Sequence, residues 1–181
     1  LREALRQHWG FEDRNIQTVL NQQATRAGIL AALGQLVKQA SAGDFVYVHY
    51  SGHGSQVRDR NKDEPDGLDE TLVPHDGRTP GVRDITDDEL DAVFARLQAR
   101  SAVIVLDSCH SGTATRSLAV RSRSIPQDTR EDLYDGASVV ATRALVPVVS
   151  SRYLLLSAAA SNQEALDGPV DGRYHGFFSY A

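Results

Sequence analysis

The runs Tyr50-Ser51-Gly52-His53-Gly54 and Asp107-Ser108-Cys109-His110-Ser111-Gly112 place a glycine-flanked histidine and the only cysteine of the chain each directly after a short apolar stretch. A thiolate attacks carbonyl carbon well, but a thiol needs a neighbouring base or cation to become one. His53 is the candidate base and Cys109 the candidate nucleophile. Gly52 and Gly54 leave room for a substrate backbone to come close. The backbone N–H groups of Gly54 and Cys109 are candidates for the donors that steady a developing oxyanion. A lone buried cysteine is more often a small core hydrophobe; the Ser-Gly-His-Gly run beside this one turns the reading toward catalysis.

His49, His53, Cys109 and His110 are also residue types that bind zinc. Alternation along a strand sends His49 to one sheet face while His53 lies beyond the strand end, which argues against a shared ion. A serine hydrolase is disfavoured because the chain has no Gly-x-Ser-x-Gly elbow.

These residues need elements to position them. Phe45 to Tyr50 and Ala102 to Leu106 are short, β-branched and mostly apolar, which predicts strands buried on both faces of a parallel sheet. Ligands of open α/β sheets bind outside the carboxyl ends of the strands, so His53 and Cys109 are expected at one edge. The capping box Thr86-Asp87-Asp88-Glu89 opens a helix with Leu90, Val93, Phe94 and Leu97 on one face, and that helix supplies the crossover between the two strands. Leu1 to Trp9 reads as helix and Asn15 to Leu20 as strand. Thr25 caps a helix carrying Ile29, Leu33, Leu36 and Val37 up to about Ala40. Arg58 to Gly67 is charged and contains Pro and Gly, the signature of a solvated loop. Between Ser111 and Ser151 the periodicity lapses, and 112–152 is expected to be a long mobile surface loop. Tyr153 to Ser157 resumes as a buried strand, and the Gly-rich stretch Asp167 to Gly176 reads as another loop.

At 181 residues the chain suits one α/β domain with a substantial core. Its net charge of −5 argues against nucleic-acid affinity, which shows as a basic surface. No stretch approaches the roughly 20 apolar residues of a membrane span, and no signal-peptide pattern opens the chain. A single cysteine excludes an internal disulfide and suits a reducing compartment, so the expected location is the cytoplasm. The chain has no methionine; Leu1 to Leu5 reads as the middle of a helix, and Phe177 to Ala181 is an apolar run with no cap after it. It reads as a fragment of a longer protein, with 1–181 a single domain whose sheet is incomplete at both ends.

With both motifs in this order, the chain resembles the metacaspases and their prokaryotic relatives the orthocaspases, within the caspase-like cysteine peptidases. The resemblance extends over Asp66-Gly67-Leu68-Asp69-Glu70-Thr71-Leu72-Val73-Pro74 and Ile85-Thr86-Asp87-Asp88-Glu89-Leu90, whereas the animal caspase signature Gln-Ala-Cys-x-Gly is absent. The resemblance implies a three-layer α/β/α caspase-like fold around a mostly parallel sheet, a His53/Cys109 dyad working through a thioester acyl-enzyme, and endopeptidase cleavage after arginine or lysine. It implies that Ser51 and Asp107 line the pocket for that side chain; a substrate cation wants a carboxylate partner, and Asp107 stands two residues before the nucleophile. In the family, a strand ending in Gly-Ile-x-x-Tyr and a loop with a further acidic pocket residue precede the first helix, and this chain begins after both. The resemblance also matches Asp69, Asp87 and Asp88 to positions that bind calcium as an activator. Clustered carboxylates suit that hard ion, although Asp87 and Asp88 also favour a helix N-terminus. Where a further calcium ligand would lie, this chain has Thr115-Arg116-Ser117. No cofactor is expected for the chemistry itself, and protein or peptide substrates cut by a monomer are expected. The loop carries Arg116, Arg121, Arg123, Arg130, Arg143 and Arg152, candidate sites of self-cleavage. Two other readings remain: a catalytically idle caspase-like scaffold module, and a peptidase with another P1 preference.

Overall fold

The computed structural model describes residues 1–109, 121–135, 153–158, 165–170 and 173–180. Along them run α1 (Arg2–Trp9), α2 (Arg26–Gln39), β1 (Phe45–Ser51), β2 (Gly54–Arg58), β3 (Leu68–Leu72), β4 (Ile85–Thr86), α3 (Asp87–Phe94), β5 (Ser101–Asp107), β6 (Arg121–Ser122), β7 (Tyr153–Ser157), β8 (Leu166–Val170), β9 (Arg173–Gly176) and α4 (Phe177–Tyr180). The central sheet has the order β1-β5-β7, with both pairs parallel. Two antiparallel sheets, β2-β3-β4 and β6-β8-β9, carry the chain beyond its carboxyl edge.

The helices form where the sequence supplies caps. Thr25 Oγ1 accepts the Gly28 N–H at 3.0 Å, and the Thr86/Glu89 capping box is formed at the start of α3. The apolar faces of α2 and α3 meet the sheet in one core built on Leu33, Leu90, Phe94, Ile104, Leu106 and Leu155, closed by Leu72 of β3 and Ile85 of β4. Ile85 and Ile104 are 0% exposed, and burial of a side chain of that size contributes about 1.5–3 kcal/mol. Alternation turns Phe45, Tyr47 and His49 to the opposite face. There Trp9 of α1 stacks on Phe45, and Ser179 of α4 meets His49. The result is the three-layer α/β/α arrangement with a mostly parallel centre. β1 is less buried than a strand covered on both faces, with Val46 its only buried residue, because β5 is its one strand neighbour among the described residues.

Four expectations for the connections are corrected. Asn15 to Leu20 is not a strand: short 3-10 turns occupy Asp13–Asn15 and Asn21–Gln23, and Ile16 and Leu20 are extended without a ladder partner among the described residues. The charged stretch after Arg58 is not simply solvated, because buried Asp59 accepts the N–H groups of Asn61, Lys62 and Glu64 at 2.9, 2.6 and 3.1 Å and folds the loop around itself. Asp167 to Gly176 is a hairpin, with Val170 paired to Arg173; the intervening Asp171-Gly172 is a strong hairpin signal in sequence. Finally, 121–135 is bound structure within the expected mobile loop. Asp128 pairs with Gln56 through its N–H (2.8 Å), and its buried carboxylate accepts Arg130 (2.8 Å) and the Tyr134 hydroxyl (2.8 Å), with Arg78 3.5 Å away. Burial alone would raise the Asp128 carboxyl; the Arg130 and Tyr134 hydrogen bonds together outweigh it and hold it at about 2. The rest of 112–152 lies outside the described residues.

Candidate active site

Strand register brings the two motifs together. Ser51 of β1 is the partner of Asp107 of β5, so His53 and Cys109 each leave the same sheet edge two residues past a paired strand end. The Gly52 N–H donates to the Asp107 carbonyl at 3.3 Å. The His53 carbonyl accepts the Tyr50 hydroxyl (2.8 Å) and the Val73 N–H (2.9 Å), while the residue itself is exposed. A Cβ at position 52 would lie 2.6 Å from the Tyr50 hydroxyl, so glycine is what lets the tyrosine reach under the histidine and staple it.

Cys109 is buried, with Ala165 beside it. Its thiol donates to the Ala165 carbonyl (2.7 Å) and also meets the Ala165 N–H, and the Ser122 hydroxyl lies 3.9 Å from the sulfur. Gly54 directs its N–H to the Arg123 carbonyl at 2.9 Å.

Ser51 and Asp107 meet at a single guanidinium. Arg123 Nη1 donates to Ser51 Oγ (2.7 Å) and to the Asp107 carbonyl (2.7 Å), and stands 3.5 Å from Asp107 Oδ1. The other carboxylate oxygen of Asp107 accepts the Ser179 N–H (3.1 Å) and the Ser179 hydroxyl. Ser179 in turn lies 3.1 Å from His49 Nε2. His49 is therefore a hydrogen-bonded histidine behind the carboxylate; burial lowers its pKa, and the Asp107 charge offsets part of that. Gly176, at the end of β9, passes so close to Asp107 that a Cβ there would collide with the carboxylate and with the Arg123 guanidinium.

The acidic residues form a separate group. Asp69 shares a possible cation position with Asp59 and Asp63, and Asp87 shares another with Glu64 and Glu70. Asp88 joins neither triad and accepts the Asn61 amide at 2.8 Å. Burial first, then the neighbouring carboxylates, pushes Asp69 up to about 7, Asp87 to about 9 and Asp88 to about 6. Among the described residues no Lys or Arg pairs with any of these seven carboxylates. Such an oxygen-only, uncompensated donor set fits a hard divalent cation.

A family model described as the metacaspase, peptidase C14 domain matches residues 1–117. The chain belongs to the metacaspase family. It is 48% identical to Metacaspase-1B of Neurospora crassa over 94 residues, covering 51% of this chain and 22% of that protein. With Metacaspase-1 of Saccharomyces cerevisiae it is 30% identical, over 87% of the chain and 45% of the relative. The solved structure of protein GSU0716 from Geobacter sulfurreducens matches with a TM-score of 0.66 and 30% identity, over 91% of this chain and 62% of that one. This metacaspase chain thus spans less than half the length of these two curated relatives. Both motif loops lie inside the span matched by the family model, whereas Arg123, Ala165 and Ser179 lie beyond it.

Sequence reasoning did not single out Ala165 or Ser179, because Ala165 acts through its backbone and Ser179 stands outside any motif. It noted Arg123 only as one of several loop arginines. The Asp59, Asp63 and Glu64 carboxylates lie in Arg58 to Gly67, the stretch that reads as solvated, and Glu70 lies beside Asp69; the density of acidic residues from 59 to 70 is the available clue.

Proposed function

We propose that the protein is a cysteine endopeptidase cutting after arginine, and more weakly after lysine. Cys109 is the nucleophile. His53 takes its proton and returns it to the leaving amine. The Gly54 N–H steadies the oxyanion, and Ser51 with Asp107 reads the P1 side chain. The observation that carries this reading is the Arg123 guanidinium held between Ser51 and Asp107: a pocket that seats an arginine of its own chain has the charge and donor geometry to seat one from a substrate. A lysine ammonium has one donor centre in place of the guanidinium fork, so it satisfies the same acceptors less fully. The enzyme acts on proteins or peptides, as a monomer in the cytoplasm, processes itself, and binds neither nucleic acid nor membrane. No helix among the described residues is long and apolar enough to cross a membrane.

The test is covalent labelling. An arginyl fluoromethylketone should add one equivalent at Cys109, read by peptide mass spectrometry, while an aspartyl analogue should not react. Equal labelling by both would overturn the P1 assignment, and no labelling by either would favour the idle scaffold.

Calcium is the proposed activator, held by Asp69, Asp59 and Asp63 or by Asp87, Glu64 and Glu70, with Asp88 alongside. The bound ion supplies positive charge that lets these carboxylates ionise together. Without it, Asp69, Asp87 and Asp88 keep protons to a higher pH in the folded chain than in the unfolded one. The folded state then binds more protons, so stability falls as pH rises from about 4 through about 9. Calcium offsets that loss, so it should raise Tm more at pH 8 than at pH 5. Equal shifts at the two pH values, read by thermal unfolding in calcium and in EGTA, would count against the site.

A further inference from the structure

We propose that the passage from β9 into α4 supplies a third wall of the P1 pocket, with Gly176 and Ser179 setting its preference for arginine over lysine and His49 positioning Ser179 from behind. This rests on the reading of Ser51 and Asp107 as the residues that meet the P1 side chain. Asp107 is 0% exposed, and its two carboxylate oxygens are divided between protein and pocket. Oδ2 accepts both the N–H (3.1 Å) and the hydroxyl of Ser179. Oδ1 has no hydrogen-bond partner among the described residues and stands 3.5 Å from Arg123 Nη1, the guanidinium that marks where a P1 arginine binds. Two donors on one oxygen fix the plane of the carboxylate, so the other oxygen is aimed at the incoming fork.

The hydroxyl is itself held. Its proton goes to Asp107, so its oxygen is the acceptor in the 3.1 Å contact with His49 Nε2, and that nitrogen carries the ring proton. His49 Nδ1 is then the acceptor for the Tyr47 hydroxyl at 3.3 Å. Tyr47, His49 and Ser179 therefore donate in one direction, each bond polarising the next, toward the carboxylate. Alternation along β1 makes the file possible: residues 47, 49 and 51 share a sheet face, and Ser51 is the register partner of Asp107. Gly176 provides the room. It is paired with Asp167 of β8, which carries the end of β9 across the pocket. A Cβ at 176 would collide with the Asp107 carboxylate and lie 2.7 Å from Arg123 Cζ. A guanidinium is a flat fork that needs both this space and a fixed acceptor plane, whereas an ammonium is a compact point charge that tolerates a tilted carboxylate. Both features favour arginine. Gly176 and Ser179 stand beyond the span that the family model matches, so neither belongs to the two motif loops.

The experiment measures kcat and KM on two aminomethylcoumarin peptides that differ only in arginine or lysine at P1. Wild type, Ser179→Ala, Ser179→Thr, His49→Leu and Gly176→Ala are compared, with circular dichroism confirming that each is folded. Ser179→Ala should lower kcat/KM for the arginyl peptide at least about fivefold, as expected for the loss of one hydrogen bond to a charged group, and chiefly through KM. The lysyl peptide should lose less than about twofold, because a point charge depends less on the acceptor plane, so the arginine-to-lysine ratio narrows. Ser179→Thr keeps the hydroxyl, and at an exposed residue has room for the added methyl; it should restore the ratio. His49→Leu removes the donor behind the hydroxyl and should narrow the ratio by a smaller step, and Gly176→Ala should narrow it most. A wild-type ratio in Ser179→Ala, or a ratio in Ser179→Thr as narrow as in Ser179→Ala, overturns the role of the hydroxyl. An unchanged ratio in His49→Leu overturns the relay, and an unchanged ratio in Gly176→Ala overturns the wall. A wild type that hydrolyses neither peptide and takes no arginyl fluoromethylketone at Cys109 overturns instead the P1 reading beneath all three.

Discussion

Cys109→Ala is expected to lower turnover of an arginyl-aminomethylcoumarin peptide at least about a hundredfold while leaving the fold in place. Every bond-making step in the proposed mechanism passes through the sulfur, and no other cysteine exists in the chain to replace it. The structural cost is small because the side chain is short and its neighbours Ala165 and Ala158 are small as well. His53→Ala should fall nearly as far, since the thiol then lacks the group that takes its proton. The two variants should not add, because each disables the same unit. Turnover in Cys109→Ala above about a hundredth of wild type, with an unchanged circular dichroism spectrum, would remove Cys109 from the role of nucleophile.

Asp107→Asn should be the most damaging change to selectivity. The replacement keeps the shape of a side chain that is 0% exposed and can still accept from the Ser179 N–H, so packing is preserved. It removes the negative charge facing a substrate guanidinium. Truncating one member of a buried, hydrogen-bonded charge pair typically costs about 2–5 kcal/mol, more than tenfold in kcat/KM. The fall should be confined to basic P1 residues, so the preference for Arg over Gln shrinks while Gln hydrolysis holds. An unchanged Arg-to-Gln ratio would mean that Asp107 does not read the substrate.

The site was legible where short-range chemistry carried it. Two glycine-flanked motifs after apolar runs placed His53 and Cys109 at one sheet edge, and the Ser51 to Asp107 register agrees with that placement. Caps were equally readable: Thr25 and the Thr86/Glu89 box act through residues three apart in sequence. What sequence could not convey was long-range pairing of segments with weak local patterns. Asn15 to Leu20 has strand composition, yet composition provides no neighbouring strand to pair with. The 121–135 run has no periodicity because its backbone is satisfied by β2 and β8 and its one deep anchor is Asp128, a charged residue that hydropathy counts as surface. Asp59 misled in the same way: its burial is compensated by three N–H groups of its own loop.

The Asp128 anchor governs what a cut at Arg123 would look like from outside. Downstream residues are clasped by Arg130, Tyr134 and Gln56, none of which depends on an intact link to Arg123. A nicked molecule should therefore elute as one particle on gel filtration and run as two bands on a denaturing gel. Among the described residues the upstream end is held through the β6 pairing and the Arg123 side chain, and it is the end expected to lift away. The clasp makes the break one-sided: it selects which of the two new termini vacates the cleft and retains the other as a wall of it.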